Sequence, residues 1–390
     1  MPTVFVTGAS GYIGFDIVHE LLKAGYRVRG SARGSKLQGL KHALADVPEF
    51  EAFEIDDVSS ADFTDAFKDV EAVIHTAAPV PARFDATTGL KAVVDGYLNI
   101  VQQAHKAGVK RIVVISSIVA FPNGGPFGID DWNPVTEEDV SSAPGNVWAL
   151  YFAQKKFGDQ VILKYAQEHP EIDVIIFSLP WIFGPLRPGF HHILGPSSSG
   201  GQSLNEVYKS LTSVAYIYKL LNPHNTDFAD PIVMDIRDVA RLVLAAMKAG
   251  PAASSPKQNQ INQNQTENDE NEDQSQGRPQ VKRFALLAPY FASYKDAVGY
   301  IGEVYPELKK QGRLMDEEKA PGVPEVLLQS GTQSGGGSAK MQIDWKRIED
   351  VFGLKDLEKS CKTWKETVVD TVGSLLELEK DWGLDSGKEF

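Results

Sequence analysis

The sequence predicts an α/β protein: a doubly wound, mostly parallel sheet with helices on both faces, plus a smaller, mostly C-terminal part. Three observations predict it. Strand-like and helix-like segments alternate through the first 180 residues. The strand-like segments are short and apolar, as in sheets covered on both faces. A glycine-spaced turn, Thr7-Gly8-Ala9-Ser10-Gly11-Tyr12-Ile13-Gly14, joins the first strand to the first helix.

Residues 3–7 read as the first buried strand and 12–24 as an amphipathic helix. Further strands are expected at 26–31, 51–55, 72–75, 111–116 and 172–178, with helices notably at 91–107 and 148–168. Beyond Pro180 the pattern becomes irregular. Residues 183–202, rich in Gly, Pro and Ser, read as loop; 207–221 as a helix; 231–235 as a short strand; 237–248 as a helix. Residues 251–280 are Gln/Asn-rich with almost no apolar side chain. Such a segment cannot bury enough surface to offset the entropy of ordering, so it reads as a disordered, dispensable insertion. A second flexible stretch is expected at 331–338, and 354–382 reads as largely helical.

The net charge of −13 speaks against a nucleic-acid partner, which would need a basic face. The single cysteine, Cys361, allows neither an intrachain disulfide nor a cysteine-based zinc site. No leader pattern precedes the first strand, and no apolar run approaches the ~20 residues of a membrane helix. The expectation is a cytoplasmic protein, monomer or homodimer, with no membrane partner. The adjacent His191 and His192 read as a surface pair, and no metal site is expected.

The glycine spacing has a physical reading. Gly8 allows the tight turn, Gly11 lets the backbone approach a pyrophosphate, and Gly14 lets the helix pack closely on the sheet. The helix N-terminus, with Ser10, Tyr12 and Ile13 among the glycines, then offers N–H groups to phosphates. The turn therefore reads as a Rossmann dinucleotide site. Residues 1–180, with 232–250 returning to them, form the expected nucleotide-binding domain. Residues 181–231 and 281–390 form the smaller substrate-binding part.

The second strand leads into Arg27-Val28-Arg29-Gly30-Ser31-Ala32-Arg33-Gly34-Ser35-Lys36. A free ribose 2′-hydroxyl is held by an acid here, whereas a 2′-phosphate needs cations. There is no acid; Arg33 sits at the expected place and Lys36 adds a second charge. The planar guanidinium suits bidentate phosphate binding, so NADP(H) is the expected cofactor.

Tyr151 and Lys155 lie four apart in the helix expected at 148–168, on one face. A tyrosine pKa of ~10 is high for proton exchange near neutrality. A neighbouring ammonium favours the phenolate and brings it down. Tyr151 can then act as a proton donor.

With the glycine spacing, these residues make the chain resemble the extended short-chain dehydrogenase/reductase family. That family includes sugar epimerases, plant dihydroflavonol and cinnamoyl-CoA reductases, and fungal ketone and methylglyoxal reductases. The resemblance implies further roles, among them that Lys155 reaches the nicotinamide ribose. His75-Thr76-Ala77-Ala78 looks like the segment lining the cofactor, with Thr76, Ala77 and Ala78 as contacts. Asp57-Val58 looks like the adenine-binding pair, and Pro180 in 178–185 like the proline against the nicotinamide. Ser117 matches the catalytic Ser/Thr position, with Ser116 as the alternative. Asn99 corresponds to a proton-relay position in some relatives. Residues 235–240 and 131–136 resemble two further family segments.

The implied activity is NADPH-dependent reduction of a small aldehyde or ketone. An alcohol or sterol-type dehydrogenase shares every motif. A nucleotide-sugar epimerase or dehydratase is disfavoured by Arg33 and by Ile118 and Val119 after Ser117. A non-catalytic NADP-sensing regulator would usually lack the Tyr151–Lys155 pair. The substrate walls are expected from 121–128, 144–148 and 181–192, whose apolar and aromatic character suits an aliphatic or aromatic carbonyl.

Overall fold

Val4, Phe5 and Val6 point alternately to the two faces of their strand, yet all three are buried. A strand with that pattern needs cover on both sides. The computed structural model provides it; it describes residues 1–77, 86–194, 211–249, 282–325, 327 and 343–382. Seven parallel strands form one sheet in the order β3-β2-β1-β4-β5-β6-β9. They are β1 (Thr3–Thr7), β2 (Arg27–Ala32), β3 (Phe50–Glu54), β4 (Ala72–His75), β5 (Arg111–Ser117), β6 (Asp173–Leu179) and β9 (Lys282–Ala285). A parallel pair, β7 (Trp181–Phe183) and β8 (Val233–Asp235), stands apart.

One face packs Phe5, Val73, Ile112, Val114 and Ile176 against Tyr97 and Val101 of α3 (Ala86–Lys106) and Ile162 of α5 (Val147–Glu168). The other packs Val4, Val6, Val113, Ile115 and Phe177 against Phe15 and Val18 of α1 (Tyr12–Lys23) and Val239 and Leu242 of the helix Ile236–Lys248. Full burial of one such side chain contributes about 1.5–3 kcal/mol, so two-sided cover rather than local propensity sets the sheet.

Several elements differ from the sequence reading. A helix α2 (Ser35–Ala43) follows β2; its apolar face amounts to Leu37 and Leu40, too little to stand out as a period. Part of the loop expected at 183–202 is the helix α6 (Phe190–Leu194), held by Phe190 and Ile193 in the core. The described end of the 207–221 helix is broken into 3-10 turns around the short helix Ala215–Tyr218. The strand expected near 231–235 pairs with β7 instead of entering the main sheet. Residues 282–285, beyond the insertion, supply the seventh strand. The insertion at 251–280, the stretch at 331–338 and Ala78 lie outside the described residues.

Candidate active site at the carboxyl edge of the sheet

Because all seven strands run one way, the residues that follow β1, β2, β3, β4, β5 and β6 share one edge. Gly8, Arg33, Asp57, Thr76, the 3-10 turn Ile118–Ala120 and Pro180 all sit along it. This is where open α/β sheets bind ligands.

Gly8 has φ +66, in the left-handed region. A Cβ on Gly14 would lie 2.2 Å from the Gly8 carbonyl oxygen, and one on Gly11 3.2 Å from it. Gly11 is the N-cap of α1 and supplies no side-chain cap; no acid lies in the first turn. The first-turn N–H groups therefore face outward without a competing side chain, as a pyrophosphate requires. Thr7 fastens the adjoining segment: its Oγ1 accepts from Thr76 N at 3.1 Å and Ala77 N at 3.2 Å, and Thr76 Oγ1 donates to Thr7 O at 2.7 Å. Ser10 is buried and Ile13 half-buried beside this turn. The Tyr12 hydroxyl is engaged elsewhere, donating to Gly184 O at 2.8 Å, so only its backbone faces the turn's task. The cradle fits a dinucleotide diphosphate.

Gly14→Ala should lower both melting temperature and cofactor affinity. Elsewhere in a helix that change is stabilising. Here the methyl meets backbone, and overpacking costs about 1–3 kcal/mol. Thermal melts and cofactor titration check it; an unchanged or higher melting temperature would contradict the close approach.

Arg33 is exposed at the end of β2, and no ion pair holds it among the described residues. Lys36 is exposed one turn on, in α2. Asp57 is a turn residue: Oδ1 accepts from Ser59 N at 2.9 Å and Ser59 Oγ at 2.8 Å, and Oδ2 from Ser60 Oγ at 3.3 Å. Those bonds, with a smaller contribution from Arg33, hold its carboxyl below the usual range. Val58 is half-buried and its carbonyl accepts from Asn99 Nδ2 at 2.8 Å. That bond engages the Asn99 side-chain amide. The Asn99 amide also donates to Ala61 O at 3.0 Å and its oxygen accepts from Gln103. It braces the Asp57–Val58 segment.

Asn146 caps α5, accepting from Ala149 N at 3.1 Å. The helix carries Tyr151, Lys155 and Asp159 at intervals of one turn. Tyr151 is half-buried, while Lys155 and Asp159 are buried. Lys155 Nζ lies 5.9 Å from the Tyr151 ring centre and donates to the Tyr97 hydroxyl at 3.3 Å. Burial alone would lower the Lys155 ammonium; Tyr97, Tyr151 and Asp159 outweigh it and hold its pKa above that of ordinary lysine. Tyr97 stands edge-on to His75, with ring centres 5.0 Å apart. Burial, then Lys155, pushes His75 down to about 3, so it is neutral near pH 7.

Ser117 ends β5 and caps the 3-10 turn, its hydroxyl accepting from Val119 N at 3.4 Å. Ser116 points to the α5 side of the sheet, buried, with its hydroxyl toward the Asp159 carboxylate, whose charged form it favours. Pro180 is half-buried between β6 and β7. The Asp235 carboxylate is spent at a junction: it accepts from Arg237 N at 2.8 Å and from Thr367 Oγ1 at 2.7 Å.

The sequence reading passed over Tyr97, Asp159 and Arg283, and gave the Thr7 side chain no role. Only Asp159 left a trace, its one-turn spacing from Lys155. A trio of metal-type donors, His105, His169 and Glu171, lies at the opposite end of the strands, near the starts of β5 and β6. Both His105 nitrogens are already engaged there, by Tyr165 and Glu171.

Residues 4–199 match the NAD dependent epimerase/dehydratase family. The chain is 31% identical to the NADPH-dependent methylglyoxal reductase GRE2 of Saccharomyces cerevisiae over 97% of this chain and 99% of that protein. A putative uncharacterized oxidoreductase of Schizosaccharomyces pombe is 34% identical over 47% of this chain and 58% of its own length. Among solved structures, the yeast methylglyoxal/isovaleraldehyde reductase Gre2 complexed with NADPH superposes with a TM-score of 0.65 at 23% identity, covering 97% of this chain and 99% of that one. The family match spans half the chain and the yeast reductase nearly all of it, so the chain belongs to the NAD dependent epimerase/dehydratase family.

Proposed function

We propose that this protein is an NADP-dependent oxidoreductase that reduces a small aldehyde or ketone to the alcohol. The observation that carries the reading is the buried Lys155 ammonium beside Tyr151, on the sheet edge that also carries the uncapped glycine turn and Arg33. The yeast relative's description as an NADPH-dependent reductase supports it.

Bound NADPH would supply the hydride to the carbonyl carbon. Gly8, Ser10, Gly11, Ile13 and Gly14, with the Tyr12 backbone, would hold its diphosphate. Arg33 and Lys36 would hold the 2′-phosphate, Asp57 and Val58 the adenine, and Thr76, Ala77, Ala78 and Pro180 would line the rest. Ser117 donates a hydrogen bond to the substrate oxygen and positions it. Tyr151 gives its phenolic proton to that oxygen as negative charge develops there. Lys155, held charged by its surroundings, stabilises the phenolate left behind and reaches the nicotinamide ribose.

A panel of aliphatic and aromatic aldehydes and ketones, assayed by loss of reduced-nicotinamide absorbance, tests the reading. Turnover is expected with NADPH on apolar carbonyls. Tight NADPH binding without turnover on any member would favour the sensor reading instead.

A further inference from the structure

Arg283 lies in β9, on the far side of the insertion from every residue assigned above, and its side chain is fully buried. Its guanidinium stacks between two rings, 3.5 Å from the Phe121 centre and 3.8 Å from the Trp132 centre. At its edges it donates to Asp131 O at 2.8 Å and Ala120 O at 3.1 Å. Its Nε lies 3.8 Å from Asp159 Oδ2. Four pieces of chain therefore converge on one cation: the turn after Ser117, the 129–132 segment, the catalytic helix α5 and the last strand of the sheet.

Burying a charge is costly, and a well-packed apolar residue usually serves stability as well or better. A planar cation with fixed donors does what an apolar residue cannot: it sets distances and angles among the groups around it. The Asp159 carboxylate is fully buried, with the Ser116 hydroxyl as its side-chain hydrogen-bond neighbour. Burial pushes it up to about 6, against the opposing pull of Arg283. Arg283 and Lys155 are the two cations that favour its charged form, and Lys155 is one helical turn away.

We propose that Arg283 is a positioning residue for the reduction: it pins the segment that follows Ser117 and fixes the Asp159 carboxylate beneath Lys155. The proposal rests on the assignment of Ser117, Tyr151 and Lys155 given above. Without the clamp, Phe121 and the turn 118–120 lose their common anchor, and Asp159 pulls on Lys155 alone.

The test uses the full chain and three variants. Arg283→Lys keeps the charge and loses the stacked fork. Arg283→Met removes the charge. Arg283→Met with Asp159→Leu removes the pair together, and so guards against misfolding from an orphaned carboxylate. Active sites are counted by NADPH titration, and kcat and KM are measured per site on the best panel carbonyl. Hydrogen exchange is followed over 118–132. Arg283→Lys should leave NADPH affinity within about twofold and lower kcat/KM by roughly tenfold or more, as loss of charge-assisted bonds does. Exchange over 118–132 should rise in all three variants, and the double variant should not restore kcat/KM even where it restores melting temperature. Parent-like kcat/KM per site with only a lower melting temperature would overturn the proposal, as would unchanged exchange. If the parent binds NADPH but reduces nothing, the functional reading fails, and the exchange result alone decides whether Arg283 pins the segment.

Discussion

Tyr151→Phe should bind NADPH as the parent does and lose about 10²–10⁴-fold in turnover, the usual worth of general acid catalysis. The ring stays, so its edge-on packing with Trp148, at 6.3 Å between centres, is kept. Only the proton donor is removed. Lys155→Met should cost turnover and cofactor affinity together, because the same ammonium stabilises the phenolate and reaches the ribose. Its loss also orphans the Tyr97 hydroxyl, which it meets at 3.3 Å. Ser117→Ala should lower turnover with little change in cofactor affinity, and by more than Ser116→Ala, because the Ser116 hydroxyl is turned inward to the buried Asp159 whereas Ser117 ends the strand at the carboxyl edge. Steady-state kinetics on a carbonyl that the parent reduces, with cofactor titrations alongside, separate these cases. Parent-like turnover by Tyr151→Phe would require a different acid or a non-catalytic role.

Arg33→Asp should reverse the cofactor preference. Arg33 stands exposed at the end of β2, close enough to Asp57 to help hold that carboxyl in its charged form. Hydrogen bonds to a charged group contribute about 1.5–3 kcal/mol, so losing the guanidinium weakens NADPH binding by roughly 10–100-fold. The new carboxylate adds repulsion against the 2′-phosphate, yet it can accept from the free 2′-hydroxyl of NADH. Lys36 keeps one cation in place, which bounds the loss. Equal binding of both cofactors by the parent, with no effect of the substitution, would remove Arg33 from the cofactor site.

The main sheet was legible because its strands are buried on both faces. Residues 3–7 and 72–75 contain runs that only two-sided cover explains, and both strands fall at the expected bounds. The glycine turn was legible because its spacing has a steric cause, seen in the 2.2 Å approach that a methyl on Gly14 would make. The helix α2 was missed because two buried leucines do not make a period. The partner of 233–235 was missed because a three-residue apolar strand fits several neighbours, and register is set by what packs on it.

The sequence by itself determined the things that have a local cause: the alternation of elements, the glycine turn, the cationic end of β2, and the one-turn spacing of Tyr151 and Lys155. Their physics acts within a turn or two of chain, so it leaves a readable pattern. Tertiary structure alone decided what surrounds Lys155. Tyr97 comes to it across a helix–helix contact, and Asp159 is met by Arg283 from a strand more than a hundred residues later. Such contacts depend on which strands become neighbours and which side chains are desolvated together. A buried charge takes its value from partners distant in the chain, and no spacing in the sequence records them.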